Sequence, residues 1–125
     1  MSRPPDPRGK ISVAFLEFCR PLVEILPPGA GPAELEVACR TPWLVWNAVV
    51  LEALGRPSSY LAQARELIRT GSEGAERDWM LALVDVLEAR KRSERPPDLR
   101  VIGEVEAFVD GSGELRLRVS HVAPP

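Results

Sequence analysis

Two periodicities divide this chain. Up to about residue 93 the apolar residues recur every three or four positions, the repeat of an amphipathic helix. From Val101 they alternate with polar ones, the repeat of a strand with one buried face. In the first region Ile11, Phe15, Phe18, Leu22, Ile25 and Leu26 predict a helix over 11–26. Pro21 is expected to kink or divide it, since its ring displaces a carbonyl and it donates no N–H. Pro27-Pro28-Gly29 ends it, and Pro32 opens a short helix over 32–40 in which Leu35 and Cys39 stand one turn apart.

Thr41-Pro42 reads as a restart. The Thr41 hydroxyl suits a cap and Pro42 suits the first helical position, so the chain is expected to bend there into a helix over 42–54. From Trp43 to Leu51 that helix is apolar on nearly every side, and a helix without a polar face has to be enclosed by protein. It is therefore the expected axis of the fold. Gly55-Arg56-Pro57 is a turn, and Ser58 or Ser59 caps a helix over 59–70 striped by Tyr60, Leu61, Ala64, Leu67 and Ile68. A last helix over 73–93 carries Trp79, Leu83, Val86 and Leu87 on one side with Met80 and Val84 beside them. Pro96-Pro97 forbids its continuation.

The alternating region predicts a hairpin, 101–109 paired with 114–122, around Asp110-Gly111-Ser112-Gly113. Asp110 suits the first position of a type I turn and Gly113 the left-handed residue that completes a three-residue loop. The register follows: Val109 faces Leu115, Ala107 faces Leu117 and Val105 faces Val119 on an apolar face. On the other face Glu106 meets Arg118 and Phe108 meets Arg116. A slip by one residue would send the two strands' apolar sets to opposite faces, so the pairing is well specified. The expected fold class is α+β: a bundle of about five helices around the helix 42–54, followed by a C-terminal antiparallel hairpin. Residues 1–9, rich in proline, form a loose arm, and 10–125 form one domain.

Composition narrows the picture a little. The 125 residues are 45% hydrophobic and 27% charged with a net charge of −2, ordinary values that give no global attraction to nucleic acid or anionic membrane. Lysine occurs only at positions 10 and 91, with arginine elsewhere, a coding bias that points to a GC-rich bacterial genome. The N-terminus lacks the apolar stretch of a secretory signal, and the run Trp43–Leu51 is about half the ~20 residues a membrane span needs. A cytoplasmic location is the expectation. Cys19 and Cys39 sit among apolar helix residues and read as buried thiols.

Candidate chemistry is sparse. His121 is the sole histidine and has no nucleophile or metal-ligand pattern around it, so a strand-end residue is expected. No phosphate-binding loop occurs, and Glu17, Glu24, Glu34 and Glu36 are expected on the solvent sides of separate helices. Neither catalytic residues, nor cofactor, nor metal ligands are assigned, and a non-enzyme is expected. The leading expectation is a protein–protein interaction or adaptor protein. It uses Glu106, Phe108, Arg116 and Arg118 on the hairpin and Trp43 on the central helix, and a hairpin edge that could pair with a partner or with a second copy. One alternative is a small-molecule or sensing domain whose pocket holds Trp46, Asn47 and Trp79, the Asn47 amide otherwise needing a bond to a nearby carbonyl or loop. Another is a nucleic-acid-associated regulator using the basic segment 90–100, whose Arg90, Lys91, Arg92, Arg95 and Arg100 are interspersed with acids.

Overall fold

A computed structural model describes residues 10–123, so the expected N-terminal arm lies outside the described residues. The elements run α1 (Ile11–Val23), α2 (Pro32–Ala53), α3 (Tyr60–Gly71), α4 (Gly74–Arg92), β1 (Val101–Val109) and β2 (Leu115–Val122). The class is α+β as expected, with four helices among the described residues rather than about five.

The difference is α2. Its 22 residues, roughly 33 Å at the usual helical rise, run through Thr41 and Pro42 without a break. The segments expected at 32–40 and 42–54 are one helix, and Thr41 is a buried mid-helix residue instead of a cap. A proline inside a helix forfeits one N–H bond and presses on the preceding turn, at about 3 kcal/mol. Here the ring itself is fully buried, and from Cys39 to Leu51 only Arg40, Trp43 and Leu44 escape the buried class. Enclosure of so many apolar groups outweighs the lost bond. The amphipathic start of α2 is held by Gly31 N–H, which donates to the Glu34 carboxylate at 3.0 Å. Pro21 is also tolerated inside its helix, in the last turn of α1, which stops at Val23 rather than 26.

Every other element except β2 packs on α2, and β2 packs on α1. Trp46 is the centre of this core: 1% exposed, it meets the rings of Phe15 and Phe18 edge-on at 5.9 and 5.5 Å. Cys19 of α1 and Cys39 of α2 are free, buried thiols in the same core. The phase of α4 differs from the expected one. Val84, Leu87 and Lys91 are its buried residues, while Trp79 and Val86 are 45% and 53% exposed. This helix carries more apolar positions than one face can hold, and packing on α2 and α3 selects among them.

The hairpin has the predicted register: Val109↔Leu115, Phe108↔Arg116, Ala107↔Leu117, Glu106↔Arg118 and Val105↔Val119. Gly113 is left-handed at φ 85°, and its N–H donates to the Asp110 carbonyl at 3.0 Å, closing the loop. A bulge between Ile102 and Glu104 was not foreseen. Gly103 occupies it, where an added Cβ would fall 2.6 Å from Val122 Cγ1.

Candidate functional site

The two edges of the hairpin are built differently. Along α2, Glu36, Arg40, Trp43 and Asn47 recur at spacings of four, three and four, a single stripe of the helix. Three of these four bond the outer edge of β1. The Asn47 amide donates to the Ile102 carbonyl at 2.8 Å and accepts from the Ile102 N–H at 2.8 Å, so one side chain pairs with a peptide unit as a neighbouring strand would. The Trp43 indole N–H donates to the same carbonyl at 2.9 Å. Further along, the Glu36 carboxylate accepts from the Ala107 N–H at 3.1 Å. Just before the strand, the Trp46 indole donates to the Arg100 carbonyl at 2.8 Å.

The Ala107 bond also fixes the alternation of the pair. Its N–H points away from β2, so Ala107↔Leu117 is a pair without mutual hydrogen bonds, and Val109↔Leu115 and Val105↔Val119 share that type. The peptide groups of Leu115, Leu117 and Val119 therefore point away from β1. Among the described residues, none of them has a hydrogen-bond partner. One edge of this sheet is bonded by helix side chains; the other has no hydrogen-bonded neighbour, with α1 packed on β2, Leu115 and Leu117 half-buried and Val119 buried.

The exposed hairpin face holds the four residues singled out there. Arg118 reaches Glu106 at 3.5 Å and lies over the Phe108 ring, 5.0 Å from its centroid. Arg116, placed opposite Phe108 by the register, turns instead to Asp110 at 2.5 Å and Glu114 at 3.0 Å. The Asp110 carboxylate also accepts from the Ser112 hydroxyl at 2.6 Å and from the Glu114 N–H at 3.0 Å. The Ser112 hydroxyl first, then Arg116, hold its pKa well below the usual carboxylate range.

Of the residues expected in a pocket, Asn47 alone lines one. A cavity of about 570 Å³ opens between α2, α3 and the root of the hairpin, with Trp43 and Asn47 in its wall. Trp46 is core and Trp79 stands on the outer side of α4, so neither reaches it. The polar atoms of Asn47 and the Trp43 N–H are already spent on Ile102. Arg40, also in the wall, has no hydrogen-bond or ion-pair partner among the described residues. A second cleft of about 540 Å³ lies between α1, α2 and α4, with exposed Ile25 and Val37 and the acids Glu34 and Glu76 in its lining.

The basic segment is engaged internally. Arg92 pairs with Glu52 and Glu88, at 2.5 and 2.9 Å, and the Arg95 guanidinium donates to the Arg92 and Glu94 carbonyls. Arg90 lies over the Phe18 ring, and Arg100 bonds Asp98 at 2.6 Å. Lys91, its side chain 1% exposed, sits 3.6 Å from the Trp46 ring centroid, pairs with Glu94 and donates to the Asp98 carbonyl at 2.8 Å. Burial pulls its pKa below the usual lysine value against the opposing pull of Glu94. Burial raises the Asp98 carboxyl, and the Arg100 bonds more than reverse that, leaving it below its ordinary value. Sequence reasoning placed Lys91 in a basic patch and did not assign Glu36 or Arg40. The signal for Lys91 was its helical phase, seven residues after Val84 on the stripe that is buried.

His121 is exposed near the end of β2, and burial pushes the Cys19 thiol far up in pKa. Among the described residues no three His, Cys, Asp or Glu side chains gather as a metal site. No described helix is long and apolar enough to cross a membrane. No family model, curated protein or solved structure matches this chain.

Proposed function

We propose that this is a non-catalytic protein–protein interaction protein whose contact is made by adding a partner's extended segment to the open edge of β2. The observation that carries this reading is the asymmetry of the hairpin. Asn47, Trp43 and Glu36 engage the outward groups of β1, whereas those of Leu115, Leu117 and Val119 have no partner among the described residues. A strand laid along Leu115 and Leu117 would gain main-chain hydrogen bonds. Arg116, Arg118 and Phe108 flank it on the solvent side.

A foreign strand fits this edge better than a second copy. Antiparallel self-pairing centred on Leu117 would set Arg116 of one chain beside Arg118 of the other, twice over, and like charges side by side are destabilising. The test compares the tagged full chain with its Leu117→Pro and Leu117→Ala variants for proteins recovered from the cells that make it. Proline removes an outward N–H and spares the hairpin's own bonds. The alanine variant controls for the lost packing. A partner held by the wild type and by Leu117→Ala but lost with Leu117→Pro is the expected result. A partner retained by the proline variant contradicts edge pairing. Light scattering that finds a dimer at all concentrations, abolished by the proline, makes the occupant a second copy instead.

A further inference from the structure

We propose that the cavity between α2, α3 and the hairpin root is a binding site for a small amphipathic carboxylate, its apolar body within the cavity and its charge on Arg40. This inference is independent of the β2 edge. The volume, about 570 Å³, falls inside the ~300–1,000 Å³ usual for small-ligand sites. Trp43, Leu44, Leu51, Tyr60 and Leu67 supply apolar and aromatic surface from the two helices, and Val122 closes the far side from β2. Leu67 and Val122 are left 41% and 49% exposed, so part of this apolar lining faces solvent.

Polar groups in the wall divide into two kinds. Those of Asn47 and Trp43 are consumed by the Ile102 peptide, and the Gln63 amide N–H donates to the Ser59 hydroxyl at 2.8 Å. Arg40 is the only charged residue of the lining. The nearest acid on its stripe, Glu36, is committed to the Ala107 N–H. Among the described residues Arg40, an exposed residue at the cavity wall, has no ion-pair or hydrogen-bond partner. An unpaired guanidinium at an apolar cavity is complementary to a monoanion with a hydrocarbon body, and a carboxylate matches its planar fork. The Tyr60 hydroxyl, also without a hydrogen bond among the described residues, offers a second donor in the same lining.

The probe is octanoate, with 1-octanol as its neutral counterpart of similar shape, titrated at pH 7 into the isotopically labelled full chain and its Arg40→Gln variant. The Trp43 indole N–H and the Gly103 amide, which meet at the Ile102 carbonyl in the cavity wall, are the reporters. Octanoate should shift both saturably and bind the wild type at least tenfold more tightly than octanol does. Arg40→Gln should bring octanoate down to the affinity of octanol while the remaining spectrum is unchanged, because Arg40 supports no other group. The proposal is overturned by the absence of a saturable octanoate shift at these two signals. It is overturned equally by equal affinity of acid and alcohol for the wild type, or by a preference for the acid that survives in Arg40→Gln.

Discussion

Asn47 shows how one polar residue in an apolar helix can orient an entire element. Its amide is 7% exposed and satisfied on both sides by the Ile102 peptide, so the start of β1 can lie only where that pairing is met. Sequence alone marks Asn47 as needing a partner, but the partner lies 55 residues on and its identity depends on the fold. Replacement by alanine orphans the Ile102 N–H, while the carbonyl keeps the Trp43 indole. The expected loss is about 1–3 kcal/mol of unfolding free energy in a urea titration. Asn47→Asp should cost at least as much, because it sets an oxygen against the Ile102 carbonyl. Asp98 acts at the same scale. Its pKa is depressed in the fold, so its contribution is present above the ordinary carboxylate value and is lost as pH falls through the folded one. Asp98→Asn should be less stable than wild type at pH 7, and the gap between them should narrow below about pH 4. Denaturation at pH 7 and at pH 3 measures both.

Among the elements, the hairpin was the most legible and α2 the least. Alternation, a glycine suited to the left-handed loop position and an acid–base pair at Glu106 and Arg118 all specify one register, and local information is enough for that. Gly113→Ala at φ 85° should therefore destabilise the fold by about 1–2 kcal/mol, measured by thermal unfolding, with the strand register unchanged in amide spectra. The lone glycine at position 103 did carry a bulge signal within a strand pattern, one that alternation overrode. In α2, Thr41-Pro42 has the local form of a helix start, and only enclosure by four neighbouring elements makes a continuous helix the better state. The phase of α4 was hidden for a related reason. A helix with apolar residues on several sides takes its buried face from its neighbours, which is why Lys91 is inside and Trp79 outside.

At the scale of the molecule, α2 is both the core and the device that finishes one margin of the sheet. Its stripe of Glu36, Trp43 and Asn47 occupies β1, Trp46 anchors the chain just before it, and the strand left at the margin is β2. None of this was visible in the sequence, where the two edges of the hairpin look alike. They become unequal only once α2 side chains bond one of them, while α1 packs on β2 without such bonds. The proposed interaction rests on that inequality. Amide hydrogen exchange of the isolated full chain, resolved by residue, tests it most directly. Slow exchange at Ile102 and Ala107 together with fast exchange at Leu115 and Leu117 is the predicted pattern. Protection of Leu115 and Leu117 in a monomeric chain, or exchange at Ile102 as fast as theirs, would contradict it.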